Sequence, residues 1–333
     1  MRILGMIVVL AVAGWGGYWY LGKSAYEAGL EQWFEDRRTE GWVADYADLA
    51  TGGFPSRFDT EITALELADP ETGVAWQAPM FRVESASASP TEIDVVWPSE
   101  QVIASPEERV TILSEEMRAG VRFAPNTSLA LETMDATLDQ VVLQSSEGWE
   151  SAVESGVFTT RLDEGSTTAH VINFSATGVT PGTQLVEVID TSDILPDALE
   201  TLQLDMTADF DAPWDRAAIE ERRPQPTAFD LRLAKAQWGP LELSAVGAVT
   251  VDADGRPEGS IDIKATEWRE MLKMAVAGGV IPEEIAPTIE RGLELVAGFS
   301  GSSTSLNTTL NFRGGLMSVG PIPVGPAPVL RLR

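Results

Sequence analysis

His170 is the one histidine of the chain, and it sits in "TTAHVINFS", where the alternation predicts a strand. Histidine is the side chain best placed to move protons near neutral pH. Acid–base or serine-hydrolase chemistry would therefore have to converge on this residue. A lone histidine cannot build a histidine metal cluster. No G-x-S-x-G turn, phosphate loop or dinucleotide fingerprint accompanies it. "DADGRPEG" resembles a calcium loop in outline, but it lacks the twelve-residue spacing and terminal glutamate, so it reads as a hairpin turn. With 51 acidic residues in the chain, neighbouring carboxylates such as those in "LDEGS" or "IPEE" single out nothing. Cysteine is absent, which removes disulfides, thiol catalysis, lipoprotein acylation and cysteine-bound metals. The expectation is a protein that is not an enzyme, with no catalytic residue, metal or cofactor.

Ligand binding leaves more to weigh. In "TGGFPSRF", two glycines permit a tight backbone, Pro55 fixes its own φ, and Phe54 is pushed toward an extended form. Arg57 behind that turn has two readings: a clamp pairing with a carboxylate or carbonyls, or the head-group site of an anionic ligand. The other ligand candidates are Trp268, Leu272 and Leu293, on apolar stripes of two adjacent helices. Those helices either form a packed second layer over a sheet or a lid over an apolar cavity. Trp76, Trp97, Trp238 and Trp268 read as core or as cavity wall.

The elements that position these residues are mostly strands. From Phe58 to Trp97, and again in "TSLALETM", "ATLDQVVLQ", "SGVFTTRL", "TLQLDMTADF", "TAFDLRLAKAQW", "LELSAVGAVTV" and "GSIDIKAT", short alternating runs are separated by turn residues. Helices are predicted around Asp215–Arg223, from a Thr266 cap to Gly278-Gly279, and from Pro282 with Ile285, Ile289, Leu293 and Val296 on one stripe. The fold class is mainly β: a large curved antiparallel sheet or sandwich with a C-terminal helical hairpin packed on it. The expected organisation is a membrane anchor or signal segment at 1–23, a linking helix at 24–41 that Gly41 stops, an N-terminal β-rich half at 42–223, and a C-terminal β-rich half with the hairpin at 224–333.

The compartment is read from the N-terminus. Ile3 to Gly22 is uncharged, follows Arg2, and ends in Trp15, Tyr18, Trp19 and Tyr20, as an interfacial aromatic belt would. This predicts a single-pass inner-membrane helix with the body in the periplasm. The alternative is cleavage of a signal peptide at Ala11-Val12-Ala13 and release to the periplasm. The formal charge of −28 repels phosphate, so nucleic acid is not an expected partner.

"GGFPSRF", then "DPETGVAWQAPMF" and "ASPTEIDVVWP", and later "LELSAVGAVTVDADGRPEGSIDI", "LKMAVAGGVIP" and "GGLMSVGPIPVGPAPVL", occur in an order that resembles the bacterial family called domain of unknown function 2125. The resemblance runs from about Gly41 to Leu330. It implies an exported or inner-membrane-anchored protein without an assigned activity. The layout is distantly similar, by analogy alone, to AsmA-like proteins associated with lipid handling at the envelope. The expected function is thus binding of an apolar ligand, a lipid, or of an envelope partner protein. A scaffold without ligand is the alternative, and a hydrolase built from dispersed residues is a further one.

Overall fold

The computed structural model describes residues 2–192, 194–299 and 304–332. The chain is mainly β, with a large antiparallel sheet and few helices. It divides into two compact units, one of residues 1–125 with 140–148, the other of 126–139 with 149–333.

The first unit opens with α1 (Arg2–Thr39), a single helix where an anchor and a separate linking helix were expected. Nothing between Gly22 and Tyr26 lacks a backbone N–H, so the hydrogen-bond ladder continues through the junction. Gly41 does stop the helix. At φ +92 it lets its own N–H reach Arg38 O and the N–H of Trp42 reach Arg37 O, which satisfies two terminal carbonyls. Among the described residues no helix is long and apolar enough to cross a membrane. The anchor expected over Ile3–Leu21 falls partly outside them, because the side chains of 2–9, 11 and 12 are not described.

The strands that follow are β1 (Val43–Asp45), β2 (Asp48–Gly52), β3 (Arg57–Ala68), β4 (Ala75–Ala86), β5 (Ser89–Val96), β6 (Glu100–Ala104), β7 (Arg109–Leu113), β8 (Glu116–Phe123) and the end of β9 (Leu131–Ser145). Both β1 and β2 pair with β3, and β3 pairs with β4. β4 pairs with β5 at one end and β6 at the other. Along β3 the buried side chains alternate as Phe58, Thr60 and Ile62. The parity then changes at Ala64 (φ +49), and Leu65 is the next one buried. Phe34 of α1 joins Ala44, Ile62, Leu65 and Ala78 in the core of this unit, with Tyr46 and Trp76 packed against it.

The second unit takes the start of β9, then β10 (Glu150–Leu162), β11 (His170–Thr180), α2 (Thr183–Ile189), β12 (Thr201–Phe210), α3 (Arg216–Glu220), β13 (Pro226–Trp238), β14 (Leu241–Val251), β15 (Pro257–Thr266), α4 (Trp268–Ala277), α5 (Ala286–Phe299), β16 (Ser305–Arg313), β17 (Leu316–Val319) and β18 (Ile322–Pro326). From β10 to β18 each strand pairs antiparallel with the next strand in the chain. The "RRPQP" stretch expected to part the halves lies inside this unit. It is tied down there by Arg222 to Asp211 and by the N–H of Gln225 to the same carboxylate, both at 2.8 Å. "DADG" is the hairpin its composition predicts: Gly255 (φ +80) donates to Asp252 O, and the Asp252 carboxylate accepts the N–H groups of Asp254 and Arg256.

The helical pair departs from expectation at both starts. Glu267 (φ +57), not Thr266, precedes α4, and its N–H donates to Thr304 O. α5 begins at Ala286 rather than Pro282, with Pro287 in its first turn, where no N–H is needed. The pair forms a packed layer. Trp268, Ile289, Leu293 and Ala297 are buried on Ala265 of β15 and Leu306 of β16, with Leu272 half-buried beside them. Leu293→Ala should cost about 2–5 kcal/mol, the range for truncating a buried leucine. Urea unfolding of the two proteins measures it, and a change well below 1 kcal/mol would mean the layer is loose.

Candidate functional site

Cross-strand register builds the principal feature of the second unit. Partners on adjacent strands present their side chains to the same face, and the alternation leaves every second residue on the other. One row runs Phe158, Phe174, Leu204, Ala234, Ala245, Ile263 and Thr308 across β10 to β16. The next runs Thr160, Ile172, Met206, Leu231, Gly247, Ile261 and Leu310. Flanking rows carry Leu162, His170, Ala208, Phe229, Val249, Gly259 and Phe312 on one side, and Gly156, Ala176, Leu202, Ala236, Leu243, Ala265 and Leu306 on the other. Four rows over seven strands hold no charged side chain, and only Thr160, His170 and Thr308 are polar. The opposite face reads Val157, Ser175, Gln203, Lys235, Ser244, Lys264 and Asn307.

Helices cover one margin of the apolar face. The Ala265 and Leu306 row lies beneath α4 and α5. At the other margin Phe210 stands edge-on to His170 at 6.4 Å between centroids and to Trp214 at 5.4 Å. Between the margins, Phe174, Leu204, Met206, Leu231, Ile261 and Ile263 are all half-buried, shielded more than the polar face and less than a core. At about 4.8 Å per strand the face is roughly 29 Å across.

His170, the one residue suited to proton chemistry, belongs to this face. It is 2% exposed, and its only described polar neighbour is Thr160, whose Oγ1 lies 3.4 Å from Nδ1. Burial pushes its pKa down from the ordinary value near 6.5. Among the described residues no carboxylate is bonded to its ring. Among the described residues no group of histidines, cysteines or carboxylates could hold a metal ion. A cavity of about 540 Å³ lies between Asp211, Arg222, Asp252 and the tail residues Leu330–Leu332. Its polar groups are satisfied internally, with Arg222 and the Gln225 N–H holding the Asp211 carboxyl below its usual range.

In the first unit "TGGFPSRF" serves the helix. Gly53 (φ +93) accepts from the N–H groups of Ser56 and Arg57, and a Cβ on it would lie 2.8 Å from Arg57 O. The Phe54–Pro55 peptide is cis. The carbonyls this turn exposes are taken by α1: the Trp15 indole N–H donates to Pro55 O at 2.8 Å and that of Trp19 to Arg57 O at 2.7 Å. Tyr18 donates to Ser87 O and Tyr26 to Pro90 O. Phe58 is stacked on Trp19 and Tyr26, and Gly22 admits its ring where a Cβ would lie 2.5 Å away. Of the aromatics read from sequence as an interfacial belt, Trp15, Tyr18 and Trp19 thus have protein partners for their polar tips.

The four ligand candidates are divided between the two units. Arg57 lies in the other unit from Trp268, Leu272 and Leu293. Its guanidinium binds Asp59 and Glu84, each at 2.8 Å. The hydrogen bond it donates to the Asp59 carboxylate is the main cause that raises its pKa above the ordinary value. This is the clamp reading. Trp268 is 2% exposed, with Arg269 4.4 Å above its ring and an indole N–H that finds no acceptor among the described residues. Sequence reasoning missed the apolar face as a unit, although the alternation of β10–β16 carries it; what was lacking was register.

Fold and site together define a mainly β protein whose distinguishing surface is an apolar sheet face. Residues 19–328 match the family described as "Uncharacterized protein conserved in bacteria (DUF2125)", and the chain belongs to that family. No curated protein and no solved structure matches it.

Two outcomes follow from this geometry. Arg57→Ala should cost no more than about 1 kcal/mol in urea unfolding, since 43% of the side chain is exposed and solvent screens both ion pairs. A larger loss would mean that the clamp is more than an exposed ion pair. For His170, the lowered folded-state pKa makes the unfolded chain take up the proton first. Its contribution is therefore intact above about pH 6.5 and is lost as pH falls from there toward the folded-state value. His170→Phe should flatten stability over that window relative to the parent, and parallel pH profiles would refute the linkage.

Proposed function

We propose that the protein is a non-enzymatic, membrane-tethered component of the bacterial envelope whose second unit holds the hydrocarbon chain of a lipid against the apolar face of β10–β16. The observation that carries this reading is the pair of central rows, uncharged across seven strands and only half-buried. A methylene removed from water is worth about 0.8 kcal/mol, so ten methylenes laid on such a face gain roughly 8 kcal/mol before ordering costs. A peptide would need partners for its backbone groups, and the central rows offer only two threonine hydroxyls. A saturated chain asks for none.

The envelope location rests on the uncharged run from Ile3 to Gly22 behind Arg2, and on an acidic body suited to the far side of an inner membrane. On this reading the body is periplasmic and α1 is the tether. A C-terminal alkaline phosphatase fusion should then be active. An inactive fusion would place the body in the cytoplasm and remove the envelope role.

Native mass spectrometry of the protein extracted from membranes tests the ligand. A retained mass in the phospholipid range, lost on substituting Met206→Lys in the central rows while α4 and α5 stay folded by circular dichroism, supports it. A bare parent mass under conditions that preserve other lipid complexes would leave a scaffold, with the apolar face as packing surface.

A further inference from the structure

Two uncharged stretches, Ile3–Gly22 and Thr51–Ser56, are far apart in a chain where 22% of residues are charged. The fold brings them together. Trp15 and Trp19 bond to carbonyls of the Phe54–Arg57 turn, and Phe54 stands edge-on to Trp19 at 5.2 Å between centroids. Having made that contact, Phe54 remains 59% exposed, with Trp15 at 42% and Tyr18 at 45% around it. On the same helix, Leu10, Tyr20 and Leu21 are 63%, 66% and 70% exposed. A large aromatic held outward on a rigid turn is costly in water unless something covers it.

The geometry points to the lipid interface of a bilayer as that cover: the Gly53–Ser56 turn is a second membrane contact, which sets the first unit flush against the surface from which α1 emerges. The inference rests on the reading of α1 as a tether and adds a docked orientation to it. Three observations choose lipid over a protein partner. The patch is continuous with the apolar run of α1, since Phe54 packs on Trp19 and a Cβ on Gly16 would lie 4.0 Å from its ring. It carries no charge, in a body whose −28 would otherwise be repelled by an anionic bilayer. Trp15, Tyr18 and Trp19 have their N–H and O–H tips turned to the protein, so what they leave outward is ring surface, which suits the apolar side of the headgroup boundary.

The absence of cysteine makes the test direct. Full-length protein with Phe54→Cys, Ser56→Cys, Leu10→Cys or Val280→Cys, each labelled with an NBD fluorophore, is reconstituted into phosphatidylcholine vesicles containing anionic lipid. Ser56→Cys keeps the phenylalanine, and Val280, 79% exposed in the other unit, serves as the aqueous reference. Lipids bearing nitroxides at shallow or deep acyl positions report depth. Probes at 54 and 56 should be quenched by the shallow nitroxide several-fold more than the probe at 280, and the probe at 10 by the deep one. If 54 and 56 behave like 280 while 10 is quenched, the tether stands and this contact is wrong. If 10 is not quenched but 54 and 56 are, the contact stands and the tether falls. If none is quenched, both fall.

Discussion

Backbone hydrogen bonding between successive antiparallel strands is the constraint from which the second unit follows. Each strand from β10 to β18 gives its donors and acceptors to its neighbour in sequence, so polar backbone is satisfied without long crossovers. That leaves the side chains only two directions. Once Phe158 stands opposite Phe174, and Phe174 opposite Leu204, alternation assigns the rest. The bulges in β12–β13 and β13–β14 adjust the register, and the apolar rows continue on their far side. Helices are then required only where the face must be closed, which is where α4 and α5 lie.

The first unit solves a different problem. A turn with several outward carbonyls would ordinarily leave them to water. In this protein the indoles of Trp15 and Trp19 take two of them and the phenols of Tyr18 and Tyr26 take carbonyls nearby, so polar satisfaction and ring stacking hold the helix at once. Phe58 shows how tightly: its ring occupies the space a side chain at position 22 would need. Each neutral hydrogen bond of this kind is worth about 0.5–1.5 kcal/mol. Their combined effect is less a gain in stability than a fixed angle between helix and sheet.

Much of this was legible in the sequence, and the parts that were not have physical reasons. Turn chemistry announced the "DADG" hairpin and the Gly41 stop because a single residue type decides each. The stripe through Ile289 and Leu293 announced the packed helices. Less legible were β6, β7 and β8, where charged residues such as Glu100, Arg109 and Arg118 interrupt short strands that only pairing reveals. The short α2 was also silent, since Leu185 and Val188 stay 53% exposed and leave no buried stripe to recognise. For Arg57 the sequence left a carboxylate clamp and an anion site open; the pairs with Asp59 and Glu84, and the solvent around them, are set by strand register that the sequence does not give. Arg223 falls within the second compact unit, where proline marks a turn as readily as it would mark a linker.

The glycines of β14 and β15 bear on how this chain can change over time. A Cβ on Gly247 would lie 2.7 Å from Ile261 Cα, and one on Gly259 would lie 3.0 Å from Val249 Cα. Both positions face the apolar side, and both have φ that side chains rarely adopt, +151 and +139. The two strands are therefore closed to drift at these points even though nothing there is catalytic. Insertions of one residue within any of the seven strands would exchange its two faces and put polar side chains, most of the strands' charges included, among hydrocarbon. Length variation among descendants of this sequence should accordingly collect in the turns, while the strands between them change residue by residue in their outward positions.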